Sequence, residues 1–195
     1  MTTISPGKTI LARSTLKESF PHDFCVYDLN QLLTLLSLDR DSEIDFDDSN
    51  IFIRGNNTET KYRKTSKEMI ISPPDKTLVL PSVEVSFKLS EENLLTLLKG
   101  ANVLQSPHIS VNSKNGKLTL TCFDAKNDSA HTRSISLNED FVGDIRAVFL
   151  TENLKMIPGT YDVEISSKGL ASFKNTHQEL EYWIAIEAKE STFGV

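Results

Sequence analysis

The sequence predicts an α+β protein made of repeated units, each a strand, a short helix and three further strands. Three observations carry this. The pentapeptide LLTLL occurs twice, at Leu32–Leu36 and Leu94–Leu98, with starts 62 residues apart. Each copy follows a residue able to cap a helix, Asp28 or Ser90, and a third such residue, Thr151, opens another short helical stretch 61 residues after the second. Alternating apolar residues follow each helical stretch with the two-residue period of half-buried strands. A period of ~60 residues with matching caps marks a repeated supersecondary unit.

The elements follow in order. Ile10 to Leu16 alternates weakly as a strand, and Phe24 to Tyr27 is a short apolar run. Asp28 then caps a helix with Leu29, Leu32, Leu33, Leu35 and Leu36 as its apolar positions, while Asn30, Gln31, Thr34 and Ser37 gather on the other face. Ile44 and Phe46, then Ile51 and Ile53, predict a hairpin around Asp47–Asn50, with a polar strand near Thr60 to Arg63. Ser72-Pro73-Pro74-Asp75 can continue neither helix nor sheet. Residues 1–72 therefore read as an N-terminal domain with an incomplete first unit, 73–82 as an extended connector and 83–195 as a C-terminal domain.

In that second domain Val83, Val85 and Phe87 predict a strand. Ser90 caps a helix running to about Gly100, with Leu94, Leu95, Leu97 and Leu98 inward. Ile109 and Val111, a turn at Asn115-Gly116, the return through Leu118, Leu120 and Cys122, and Thr132 to Leu137 complete one unit. Ala147 to Leu150, a helix over Glu152 to Ile157 capped by Thr151 and stopped by Pro158-Gly159, and strands over Tyr161 to Ile165, Leu170 to Phe173 and Tyr182 to Ala188 form the next.

Several kinds of chemistry are disfavoured. No run of 18 apolar residues is present. Cys25 and Cys122 have no metal-ligand spacing and read as buried free thiols. The acidic run Asp39–Asp48 fails as a calcium loop. Started at Asp39 or Asp41, it puts Ile44 or Phe46 where a Gly is needed and Asn50 or Phe52 where a bidentate Glu is needed. His22, His108, His131 and His177 are scattered, with no HExxH, GxSxG or Gly-rich phosphate loop. Asp128, Ser129 and His131 lie together in sequence, but strand neighbours alternate faces and need not converge. An enzyme is disfavoured, and neither cofactor nor metal is expected.

Net charge is −6, which argues against an all-round basic nucleic-acid-binding surface but leaves room for a local one. Lys99 and Lys155 lie on or at the ends of two helices. Two readings of them stand: they complement a helix macrodipole, or they face a phosphate backbone. For Lys88, Arg40 and Lys114 a solvated-surface reading stands equally beside a phosphate-facing one.

VYDLNQLLTLLSL (Val26–Leu38), LSEENLLTLLKGANVLQ, NLKMIPGTYDV (Asn153–Val163) and YWIAIEAKEST resemble segments of the T-even-type bacteriophage sliding clamps, the processivity factors of DNA polymerase. The resemblance implies a DNA-clamp fold of βαβββ units, two domains per subunit, closed as a homotrimeric ring with short helices inside and sheets outside. Four units per subunit would supply twelve lining helices; three are complete here. The missing strand and helix are expected roughly 30 residues upstream of Met1, from the ~60-residue period. The resemblance further implies sequence-independent binding of double-stranded DNA, with the phage DNA polymerase and an ATP-driven clamp loader as partners. It also implies late-transcription proteins with host RNA polymerase, and the cytoplasm of the infected bacterium as location. The DNA-facing residues would be Lys99, Lys155, Asn30, Gln31 and Thr34. Leu78, Val79, Leu80 and Ile186 would form a pocket for a partner's hydrophobic peptide, or would simply seal the domain junction. Competing readings are a β-rich oligomeric interaction module that does not bind DNA, and a hydrolase using His131.

Overall fold

The chain opens with a hairpin of β1 (Thr2–Ile4) and β2 (Ile10–Ser14). In this computed structural model the described residues are 1–17, 19–39, 41–74, 78–114 and 116–194, with the side chains of residues 114 and 138 also left aside. Arg40, Asn115 and part of the expected connector thus lie outside the described residues, as does the side chain of Lys114.

Residues Leu16–Ser72 form a compact unit of their own. Its helix α1 spans Leu29–Leu38, and Asp28 caps it as expected: Oδ1 accepts the Gln31 N–H at 2.9 Å. Three strands follow, β3 (Glu43–Phe46), β4 (Asn50–Arg54) and β5 (Glu59–Arg63), as an antiparallel sheet in sequence order. The β3–β4 turn is held by Asp47, whose carboxylate accepts the Ser49 N–H at 2.7 Å and the Asn50 side-chain amide. Those hydrogen bonds, led by the one from Asn50, hold its carboxyl below the ordinary carboxylate range. The acidic run is thus edge and turn of a sheet. Leu32, Ile51, Ile53 and Tyr62 make a small core, with Leu35, Leu36, Phe24, Val26 and Phe46 against it. Leu29 and Leu33, expected inward, are 42% and 53% exposed. A strand before α1 is reduced to a single bridge, Cys25 to Thr65.

The second body contains two βαβββ units. The first is β6 (Val85–Leu89), α2 (Glu91–Leu104), β7 (His108–Lys114), β8 (Lys117–Phe123) and β9 (Arg133–Asp140). The second is β10 (Asp144–Leu150), a 3-10 turn (Thr151–Leu154), β11 (Tyr161–Ser166), β12 (Leu170–Asn175) and β13 (Leu180–Ala185), with β14 (Thr192–Gly194) after it. The units exchange their first strands. β6 pairs with β11 of the second unit, and β10 pairs with β7 of the first. The sheets therefore run β14-β10-β7-β8-β9 and β1-β2-β13-β12-β11-β6. One core cluster draws on both sheets and on Leu94, Leu97 and Ala101 of α2.

Three expectations are corrected here. The sequence places residues 1–15 in the N-terminal domain, but β2 pairs with β13, so the hairpin belongs with Pro73–Val195. α2 runs four residues beyond Gly100. The exposed Arg133 side chain lies over that glycine, where a Cβ would sit 2.6 Å from Arg133 Cδ. The third helix is a single 3-10 turn. Pro158 would clash with the carbonyl of Leu154 in a longer helix, and the Thr151 hydroxyl donates to Ser106 O at 2.8 Å instead of capping. Of the thiols, Cys122 is buried and donates to Leu97 O, while Cys25 is only half-buried.

Inequivalent burial of the two LLTLL copies makes a direct stability test. Leu97 is 1% exposed, so Leu97→Ala should cost about 2–5 kcal/mol in denaturant unfolding. Leu33→Ala, at a half-exposed site, should stay within about 0.5 kcal/mol.

A second test concerns acid. Glu84 precedes β6 and accepts the Ser167 N–H at 2.6 Å and the Ser167 hydroxyl at 3.0 Å, which ties it to the β11–β12 turn. The backbone bond, first of these, holds its carboxyl below the ordinary 4.5. A depressed folded value means that the contribution is full above about 4.5 and disappears as pH falls through the folded value. Stability measured against pH should lose that component in Glu84→Gln.

Candidate nucleic-acid interface

α2 has two faces. Leu94, Leu97 and Ala101 point into the core and the helix lies against β8 and β9. Glu92, Thr96, Lys99 and Val103 recur on the opposite side at three- and four-residue spacing. Lys99 and Val103 are exposed there, Val103 at 80%. Lys99 has no acidic partner among the described residues. It lies more than a turn before Leu104, where the macrodipole's effect has faded, so the dipole reading is the weaker one.

Lys155 is placed differently. It follows the 3-10 turn, which packs beside α2, and its Nζ donates to Glu152 Oε1 at 2.7 Å. The cation is exposed but partly answered by its neighbour. One turn of 3-10 helix has no macrodipole to complement, so Glu152 is its local partner.

Asn30, Gln31 and Thr34 are exposed on α1, with Ser37 beside them, and α1 carries no charged residue at all. They belong to the Leu16–Ser72 unit, Lys99 and Lys155 to the other. Each helix thus presents a polar face away from its own sheet, uncharged on α1 and carrying Glu92 in the first turn and Lys99 further along on α2.

The four pocket candidates divide. Val79 is 77% exposed, and Leu78 and Leu80 are half-buried in a stretch without regular secondary structure. Ile186 lies in the core cluster at 7% exposure, because the parity of β13 turns Tyr182, Ile184 and Ile186 inward. It is therefore removed from an open pocket. On the outward parity of the same sheet Leu11 and Trp183 pair, 4% and 3% exposed, with the Arg13 guanidinium 5.2 Å from the indole ring.

The hydrolase constellation fails on geometry. Ser129 Oγ donates to Asn127 Oδ1 at 2.8 Å, and its N–H does so at 3.1 Å, so the hydroxyl is spent on a local turn and not aimed at His131. His108 is buried, with Nδ1 accepting the Ala125 N–H. No group of metal-ligating side chains occurs among the described residues, and no described helix is long and apolar enough to cross a membrane.

Residues 86–188, more than half the chain, match the family model of the gp45 sliding clamp, C terminal. The chain belongs to the gp45 sliding-clamp family. The sliding clamp of Enterobacteria phage T4 is 30% identical over 190 residues, covering 92% of this chain and 82% of its own length. That of Vibrio phage KVP40 is 29% identical over 184 residues, with 91% and 82% covered. Among solved structures, PCNA from Thermococcus kodakaraensis superposes with a TM-score of 0.65 at 16% identity, covering 96% of this chain and 85% of the archaeal one. The DNA polymerase III beta chain of Streptococcus pneumoniae gives 0.67 at 15% identity, with 91% and 51% covered. Identities this low carry the fold alone. They agree with the strand-exchanged βαβββ units, so the α+β clamp fold expected from the sequence stands.

The two lysines of this clamp chain make unequal predictions. In anisotropy titrations of a short linear duplex, Lys99→Glu should lower affinity. It should also flatten the plot of log affinity against log salt by about 0.9 for each phosphate no longer neutralised. Lys155→Glu should do less, because Glu152 already occupies that ammonium.

Proposed function

We propose that this chain is the subunit of a homotrimeric ring that encircles duplex DNA and tethers a replicative DNA polymerase for processive synthesis. The observation that carries the reading is the unpaired Lys99 on the outward face of α2, in a chain whose net charge is −6. Family membership supports it.

The physics of the task is attraction without grip. A tether must not select sequence, so only phosphate contacts are useful. Nor may it hold so tightly that sliding stops. The unpaired Lys99 of α2, a partly answered Lys155 and the neutral hydroxyls and amides of Asn30, Gln31 and Thr34 give weak, salt-dependent contact. The acidic remainder repels phosphate and discourages binding on the wrong surface. Held on the template, a dissociated polymerase is recaptured at high effective concentration. None of this requires bond-making by the clamp, which acts as an accessory factor and not as an enzyme.

Partners follow from this reading. An ATP-driven loader opens the ring, and the polymerase docks a hydrophobic peptide along Leu78, Val79 and Leu80, where Val79 is the most open side chain. A role in late transcription with host RNA polymerase, in the cytoplasm of the infected bacterium, extends the same topological tether to a second machine.

Primed circular DNA tests the reading. With the cognate polymerase and loader, this protein should lengthen products under single-hit conditions, and linearising the template should abolish the gain. Product lengths unchanged by its addition would refute the tethering role.

A further inference from the structure

The elements that carry Lys99 and Lys155 carry more acids than bases. Glu91 and Glu92 open α2 and Glu152 lies in the 3-10 turn, all exposed, against Lys99 and, just past that turn, Lys155. Attraction to phosphate gives no reason for these acids.

Their positions are specific. Glu92 lies seven residues before Lys99, within about 20° of it around the helix and about 10 Å along the axis. Four residues beyond Lys99 the same face ends in Val103, 80% exposed, which cannot hold a phosphate. A phosphate on that face therefore has one foothold, with an anion on one side and an apolar side chain on the other. Glu152 acts at shorter range, since its Oε1 accepts from Lys155 Nζ at 2.7 Å. Structural roles do not account for both. Glu92 in the first turn of α2 complements the macrodipole, as Glu91 does. Glu152 has no such helix to serve, and an exposed ion pair adds little to stability.

We infer that Glu152 and Glu92 limit the grip of the lining on duplex DNA. Glu152 is a built-in counterion that a phosphate must displace from Lys155, and Glu92 is a repulsion that confines contact to Lys99. When Lys155 turns to a phosphate, Glu152 takes up a cation from solution, so the exchange releases no net counterion. When the phosphate moves on, Glu152 replaces it and the ammonium is not left unpaired. Passage from one phosphate to the next is then nearly level, which is what sliding needs. This inference rests on the ring reading and names what regulates its contact with DNA.

Anisotropy titrations of the full chain with a short linear duplex, at several salt concentrations, test it. Glu152→Gln should steepen the plot of log affinity against log salt by about 0.9, the value for one further phosphate. Lys155→Gln should change little in the wild type but remove that whole gain in Glu152→Gln. Glu92→Gln should raise affinity about twofold at low salt, and the gain should fade as salt screens the charge. Loaded on circular DNA, the Glu92→Gln, Glu152→Gln double variant should diffuse along the duplex more slowly than the wild type. A wild type that neither binds duplex nor stays on circles would refute the ring reading and this inference with it. A wild type that does both, with slope and affinity unmoved by the two substitutions, would overturn the inference and leave the ring standing. So would a lowered affinity in Glu152→Gln, which would make Glu152 a residue that holds Lys155 in place for DNA.

Discussion

The exchange of first strands between the two βαβββ units is the constraint on which the C-terminal body depends. β6 leaves its own unit to extend β11, and β10 leaves its own to extend β7. Neither unit can then fold as an independent layer, because each lacks one strand of its sheet until the other provides it. The core reflects this: Val85, Phe87 and Leu89 from β6 and Ala147 and Phe149 from β10 lie in one cluster with Leu94 and Leu97. The exchange also sets where α2 lies. Its connections to β6 and β7 lead to different sheets, and it lies against β8 and β9 with one side buried. The other side is left for solvent or a ligand.

Strand exchange disposes of edges as well. β10 and β11 become interior strands, each paired on both sides. The free edge of β6 is answered in part by a side chain, since Glu139 Oε1 accepts the Lys88 N–H at 3.0 Å. Glu139 lies in the irregular half of β9, where the register with β8 shifts between Lys117 and Thr119. A bulge there spoils the ladder for any incoming strand. The first half of β9, Arg133–Ser136, stays in register and open on its outer side, beside α2. The exchange thus turns β10 and β11 into interior strands, while the regular half of β9 stays open at the end of its sheet.

Much of this was legible from residues alone, and the failures have physical causes. The caps at Asp28 and Ser90 are local chemistry, and both carboxylate and hydroxyl accept the expected N–H. Thr151 met the same pattern, but a buried hydroxyl takes the nearest carbonyl, and the one from Ser106 was unknowable from neighbours. The pairing of β2 with β13 joins residues about 170 apart, which no local period reveals. Lys99 could be found because helical spacing gives its face. Arg133 could not, since its place depends on β9 lying beside α2, although a glycine kept inside a helix at position 100 was a usable sign of close approach. Ile186, offered as lining for a partner's peptide, lies in the core cluster, because an apolar residue near a strand end reads the same in sequence whether it faces a core or a pocket.

The two LLTLL copies show how far identical local sequence leaves burial undecided. Both are helical, and a side-chain oxygen caps each helix. Yet Leu94 and Leu97 are 0% and 1% exposed, while in the first copy Leu32 alone is buried and the equivalent of Leu97, Leu35, is only partly so. Propensity and pattern are the same in both, so neither can account for the difference. What differs is the surroundings: α2 rests on β8 and β9 over a core cluster that draws on two strand-exchanged sheets, while α1 packs over the smaller core of a three-stranded sheet. Apolar side chains in the first copy therefore retain free energy that burial would release, at about 25 cal/mol per Å² of surface covered. In a clamp, that uncovered surface is what a neighbouring element can draw on, so the half-filled unit is the one suited to make contacts beyond itself.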